Sequence, residues 1–239
     1  MIFDQIREKL KKGKLFSILI DPESYTLSTI DGLARYIDPG VVDFILVGGS
    51  LVSGQLDPVI EKIKAVLQLP VILFPGSIYQ LSGKADAVLL LSLISGRNPE
   101  LLIGNHVVAA PIIKNLGIEA ISTGYILIGD GKTSSVEYMS NTLPIPADKP
   151  EIVVATALAG QYLGQQMIYL EHGSGAEHPI STEVVAAVKR EINIPLIVGG
   201  GIQTPGEAKN LYDAGADILV VGNRIEKDPA FISRMAVLR

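Results

Sequence analysis

The chain has 239 residues with 24 Gly, 14 Pro, no Cys and no Trp, the size of one large domain or two small ones. The absence of cysteine excludes disulfides, thiol nucleophiles and thiolate metal sites, and it suits a reducing, cytoplasmic compartment. With 20 Lys+Arg against 25 Asp+Glu, a net of -5, there is no basic footprint for nucleic acid.

Ile2, Phe3, Ile6 and Leu10 stand at helical spacing among charges, which predicts a short amphipathic helix with no apolar stretch of signal-peptide length. Hydrophobic residues make up 48% of the chain, yet no run approaches the roughly 20 residues that a membrane span needs. Eight short apolar runs follow, at 16–21, 44–49, 71–76, 87–93, 119–128, 167–171, 196–201 and 218–223. They are continuous rather than alternating, the mark of strands covered on both faces in a parallel sheet wrapped by helices.

Helix starts lie between the runs. Asp57-Pro58, Asn98-Pro99 and Asp228-Pro229 each predict a capping side chain before a proline at the first helical position, and Thr204 to Glu207 matches a capping box. Asp43, Asp86 and Asp217 each precede a run, a weak internal repeat. Eight parallel strands in this length predict a (β/α)8 TIM barrel of one domain, residues 1–239. An open doubly wound sheet is the alternative, but it would normally place G-x-G-x-x-G after the first strand, where this chain has Asp21-Pro22-Glu23-Ser24.

Two intervals depart from the rhythm. Ser77 to Asp86 is too short for a crossover helix and predicts a gap in the helical wall. Gly129 to Lys149 is polar and predicts a long, lid-like loop, with a helix following from about Glu151 to Leu163.

In such a barrel the site lies at the C-terminal ends of the strands, so the residues ending each run carry the chemistry. Val198-Gly199-Gly200-Gly201 and Val221-Gly222-Asn223 predict a phosphate cradle of main-chain N–H groups, where a side chain would block an oxyanion; plain tight turns are the alternative. The sixth run ends in Tyr169-Leu170-Glu171-His172-Gly173-Ser174-Gly175, and alternation sets Tyr169, Glu171 and Gly173 on one side. Glu171 is the candidate base for a substrate hydroxyl, with Tyr169 beside it in the candidate catalytic pair; a core Glu paired with a neighbour is the alternative. His172 alternates outward, and neither His106 nor His178 has metal-ligand spacing. Asp21 ends the first run and Ser50 follows Gly49 at the end of the second, and carboxylate plus hydroxyl suits Mg²⁺, which completes its shell with water and phosphate oxygens. The alternative for Asp21 is a helix cap. No Lys ends a run, which argues against Schiff-base chemistry.

Taken in order, Asp21-Pro22-Glu23, Leu46-Val47-Gly48-Gly49-Ser50, Phe74-Pro75-Gly76, Pro99-Glu100, Ser122 to Leu127, Tyr169 to Gly175, Val198 to Ile202 and Val221-Gly222-Asn223 resemble the geranylgeranylglyceryl phosphate synthases and their PcrB-type relatives. The resemblance implies a modified (β/α)8 barrel lacking its third helix. It also implies a Mg²⁺-dependent prenyltransferase that joins sn-glycerol 1-phosphate to a prenyl diphosphate, geranylgeranyl diphosphate the expected donor, in making an ether lipid precursor. By the family pattern Asp21 and Ser50 bind Mg²⁺, and glycerol phosphate is held by Tyr169, Leu170, Glu171, His172, Gly173, Ser174, Gly175, Gly200, Gly201, Gly222 and Asn223. PcrB-type members usually carry a Lys two residues before the metal Asp; Leu19 stands here, which is closer to the second group of synthases. Leu101 stands where many members of the other group have a Trp that shortens the prenyl channel. A homo-oligomer is expected, with the Leu101 to Leu116 stretch and the final helix as its surfaces, together with peripheral membrane contact during product release. Two further readings remain open: another phosphate-binding barrel enzyme of the sugar-phosphate isomerase kind, and a noncatalytic phosphate or lipid-diphosphate binding protein.

Overall fold

Each apolar run folds as a strand, with helices in every connection between them but one, and the short runs are buried on both faces, as at Phe44–Val47 and Val71–Leu73. The computed structural model describes residues 1–129, 131 and 133–238. In chain order the elements are α1 (Ile2–Leu10), β1 (Leu15–Ile20), α2 (Leu27–Ala34), β2 (Phe44–Val47), α3 (Leu56–Leu67), β3 (Val71–Leu73), β4 (Ala87–Leu93) and α4 (Asn105–Leu116). There follow β5 (Glu119–Gly129), α5 (Ser135–Ser140), β6 (Ile145–Pro146), α6 (Pro150–Tyr162), β7 (Met167–Glu171), α7 (Thr182–Glu191), β8 (Leu196–Gly199), α8 (Pro205–Asp213), β9 (Ile218–Val221), α9 (Asn223–Lys227) and α10 (Phe231–Met235). The strand order is β4-β3-β2-β1-β9-β8-β7-β5-β6, with β4 also paired to β5. Once the two-residue β6 is set aside, this is the connectivity of the (β/α)8 barrel.

Contacts divide the chain into two compact units, one of Met1–Leu89, Val107–Ala120 and Val221–Arg239, the other of Leu90–His106 and Ile121–Val220. Both units use the same device to fix strand register. In the first, the Asp43 carboxylate accepts the Phe16 N–H (2.9 Å) while the Asp43 N–H returns a bond to the Phe16 carbonyl, and Lys9 binds the second carboxylate oxygen (3.1 Å). Asp86 repeats this on Val71 with Lys64 at 2.7 Å. In the second unit Asp217 clamps Leu196, with Lys189 on the same carboxylate oxygen at 2.5 Å. The weak repeat of aspartates before strands is therefore a set of clamps, each aligning one strand with the next.

Ser77 to Asp86 has no crossover helix, only a 3-10 turn at Ile78–Gln80, as its length predicts. The predicted cap at Thr204 forms a complete capping box with Glu207, and Asn98 accepts the Glu100 N–H (3.1 Å) at the start of the π-helical turn Glu100–Gly104. Two caps are corrected. Helix α3 begins at Leu56, so Asp57 lies inside its first turn and accepts the Ser82 hydroxyl. Helix α10 begins at Phe231, and Asp228 binds Arg224 (2.9 Å) and Arg234 (2.5 Å). An Asp before a proline is a strong acceptor that other donors can claim. The predicted loop from Gly129 to Lys149 contains α5, capped by Ser134 at the Glu137 N–H (3.3 Å), and β6; Asp130 and Lys132 lie outside the described residues. Among the described residues no helix is long and apolar enough to cross a membrane.

Asp43 is 3% exposed, so Asp43→Ala leaves the Phe16 N–H buried without its carboxylate and should lower the unfolding free energy by about 1–3 kcal/mol. Asp43→Asn keeps an acceptor oxygen and should lose less, as read by urea unfolding of both variants.

Candidate active site

In the second unit β7 pairs with β5 and β8, setting Leu127, Glu171 and Gly199 in one register row and Tyr125, Tyr169 and Ile197 in another. Alternation turns Tyr169 and Glu171 to the same side, as predicted. Leu170, between them, has no exposed surface, so of the predicted ligands it can offer only main chain. Glu171 is 6% exposed. Its carboxylate accepts the Gly173 N–H (2.7 Å) and the Tyr169 hydroxyl, while the adjacent His172 N–H bonds the Gly199 carbonyl (3.2 Å). Burial outweighs these donors and pushes the carboxyl up from 4.5 to about 7. The Tyr169 hydroxyl is held well above the usual phenol range, first by burial and then by the Glu171 charge, so it stays a proton donor to the carboxylate.

The glycines at the end of β8 and just after it make room for this pair. A Cβ on Gly200 would lie 2.6 Å from Glu171 Oε1, and one on Gly199 would strike the Tyr169 hydroxyl. Tyr169 and Glu171 therefore give a second reason for glycine there, beside the approach of an oxyanion expected from the sequence. His172 turns its Nδ1 to the His178 carbonyl (2.7 Å), which ties the 172–178 loop to itself, while Ser174 is exposed. Tyr125, which sequence reasoning absorbed into a core run, packs its ring 5.4 Å from Tyr169 at 47° and is held well above the usual phenol range by burial and the Glu171 charge.

In the first unit Asp21 follows β1 directly. Helix α2 begins at Leu27 and is capped by Thr26, so Asp21 is not its cap. The Asp21 carboxylate accepts the Glu23 N–H (3.0 Å) and lies against Gly49, where a Cβ would sit 2.7 Å from Oδ2. The structure thus brings Asp21 to the Gly49-Ser50 turn. Glu23 grips the far side of that turn, accepting the Ser53 N–H (2.6 Å), the Ser53 hydroxyl (3.0 Å) and the Gly54 N–H (3.1 Å). Burial and the Glu23 charge raise the Asp21 carboxyl. Glu226 of α9, which the sequence did not flag because it lies past the end of the last run, is raised by burial and by Asp21. Gly222 packs on Leu19 (3.4 Å to its Cβ for a built side chain) and opens α9 at Asn223.

This donor set fits a hard cation. Asp21 and Ser50 offer oxygen alone, and Asp21 is crowded by carboxylates and has no ion pair among the described residues. Among those residues no group of three or more His, Cys, Asp or Glu side chains could hold a metal.

The PcrB family model matches residues 5–237. The chain belongs to the PcrB family. A geranylgeranylglyceryl phosphate synthase of Chitinophaga pinensis is 47% identical over 237 residues, 98% of this chain and 94% of that protein. The synthase of the same name from Thermococcus gammatolerans is 46% identical, with 93% and 88% covered. Among solved structures, (S)-3-O-geranylgeranylglyceryl phosphate synthase from Thermoplasma acidophilum, in complex with its substrate sn-glycerol-1-phosphate, superposes with a TM-score of 0.92 at 35% identity, covering 99% of this chain and 96% of that one. The fold class of this PcrB-family chain is accordingly the TIM barrel.

A carboxyl that rises from 4.5 unfolded to about 7 folded binds more protons in the native state between those values, so wild-type stability falls as pH rises from 4.5 to 7, by about 3 kcal/mol in all. Glu171→Gln carries no such loss. Its melting midpoint should exceed that of wild type above pH 7, and the gap should close toward pH 4.5.

Proposed function

We propose that this chain transfers a prenyl group, from geranylgeranyl diphosphate, to sn-glycerol 1-phosphate. The C3 hydroxyl oxygen forms a bond to C1 of the donor as the C1–oxygen bond to diphosphate breaks, Glu171 accepts the hydroxyl proton, and pyrophosphate departs. The product is an ether-linked prenylglyceryl phosphate. The observation that carries this reading is the buried Glu171, raised to about 7 and oriented by Tyr169 and Gly173, because a base near neutrality is both ionised enough to accept a proton and basic enough to keep it. Relatives named as geranylgeranylglyceryl phosphate synthases, one solved with sn-glycerol-1-phosphate, support the substrate pair.

Each segment has an assigned task. The stretch Tyr169 to Gly175, with Gly200, Gly201, Gly222 and Asn223, holds the glycerol phosphate through main-chain N–H groups and the Ser174 hydroxyl. Asp21 and Ser50 hold Mg²⁺, which when bound offsets charge on the departing pyrophosphate. Apolar side chains about the helix-free connection Ser77 to Gly83 accommodate the tail, where burial is worth about 0.8 kcal/mol per CH₂. Ile103, Val107, Val108 and Ile112 are exposed on the π-helical turn and α4, which supports a homo-oligomer, and the exposed Tyr138, Met139 and Leu143 around α5 support contact with a cytoplasmic membrane surface on product release.

Incubation with glycerol 1-phosphate, Mg²⁺ and a ladder of prenyl diphosphates, read by product mass, should yield the prenyl ether; binding of both substrates without product would leave only a binding protein. Glu171→Gln should bind both substrates and lower kcat by about 10²- to 10⁴-fold, abolishing the limb of the pH–rate profile near 7. Unchanged turnover in that variant would remove the base. Asp21→Asn should lose most activity in the synthase, whereas an isomerase-type barrel enzyme would keep it.

A further inference from the structure

The ladder between β2 and β3 pairs Val47 with Leu73 as its last register row, closed by the Phe74 N–H on the Val47 carbonyl (2.8 Å). Past that bond the two strand ends run on as bare backbone. A Cβ on Gly48 would strike the Phe74 carbonyl, and one on Gly76 would strike the Gly49 carbonyl and reach 3.0 Å from Ser50 Cα. Such close approach excludes side chains and takes main-chain N–H groups off the ladder, so they need other partners.

Gln80 supplies them. Its side chain is buried, with the residue 3% exposed. Oε1 accepts from the Gly49 N–H (3.4 Å) and the Gly76 N–H (3.2 Å), and Nε2 donates to the Gly49 carbonyl (2.9 Å). One amide thus joins the ends of two strands. It can do so because the connection to β4 is a 3-10 turn in place of a helix. Pinned by the Gln80 N–H on the Ser77 carbonyl (3.1 Å), the turn buries Gln80 and leaves the adjacent Tyr79 90% exposed. On the other side of Ser50, Glu23 binds Ser53 and Gly54. Ser50 lies between the two grips, on a turn already pressed against Asp21.

We infer that Gln80 is a positioning residue for prenyl transfer: its amide fixes Gly49, and through Gly49 the placement of Ser50 against Asp21 where the diphosphate end of the donor is held. This rests on the cation-site reading proposed above. The absent helix is then part of the catalytic arrangement, because its replacement carries the side chain that sets the Ser50 turn.

Gln80→Met keeps the volume and removes all three side-chain bonds. Val188→Ala, which empties a fully buried position in α7, serves as a destabilised control. Thermal melts, Mn²⁺ binding by electron paramagnetic resonance, and steady-state kinetics with each substrate varied separately are compared. Gln80→Met should weaken Mn²⁺ binding and raise the KM for the prenyl diphosphate by about tenfold each, the effect expected of a lost outer-shell contact, with the KM for glycerol 1-phosphate unmoved. Val188→Ala should lower the melting midpoint and move neither. If Gln80→Met lowers the midpoint alone, as the control does, the inference is overturned. Should wild type bind no Mn²⁺, the cation reading falls, and the donor KM still decides the role of Gln80. If Gln80→Met does not fold, Gln80→Glu, which keeps the acceptor contacts to Gly49 and Gly76, should show a smaller shift in the same two quantities; no shift would equally overturn it.

Discussion

The constraint on which the site depends is the removal of Glu171 from water. A carboxylate that accepts from Gly173 and Tyr169 would ordinarily be more acidic than a free one, and here burial reverses that. The surroundings follow from this one choice. Tyr169 must stay protonated to donate, Tyr125 packs against Tyr169, and the turn after β8 must lack side chains because the carboxylate and the phenol occupy their space. The fold tolerates a destabilised group at the end of β7 because strands on both sides hold that end in register.

The opposite ends of the strands do the holding. At Asp43, Asp86 and Asp217 one carboxylate takes an N–H from the first two residues of the preceding strand and a lysine from the helix before it, while the same residue's N–H bonds that strand's carbonyl. A one-residue slip would break both bonds and turn every side chain to the other face. A fixed entry to β1 sets the register of the exit at which Asp21 stands, and β8, fixed in the same way, pairs with β7 and so bears on Glu171.

This explains what could be read in the sequence and what could not. Continuous apolar runs mark buried strands because nothing polar survives between two covering layers, and the missing helix is visible because residues 77–86 cannot span a crossover any other way. Asp21 and Glu171 end runs and Ser50 follows one directly, which is what makes them candidates in the sequence. Gln80 carries no such signal, since a lone glutamine in a polar stretch resembles surface and only the backbone approach of Gly49 and Gly76 gives it work. Glu226 and Tyr125 escape for opposite reasons, one beyond the last strand and the other inside an apolar run. The segment after Gly129 conceals α5 and β6 because elements of six and two residues have too few turns or alternations to show a period.

Asp21, Glu23 and Glu226 gather negative charge beside one another in the same unit, with Glu226 and Glu23 each raising or crowding Asp21 or being raised by it. On the proposed reading, a bare diphosphate is turned away by that charge, and only one already carrying its counter-ion is admitted. On that reading turnover would follow the concentration of the cation–diphosphate complex instead of total diphosphate.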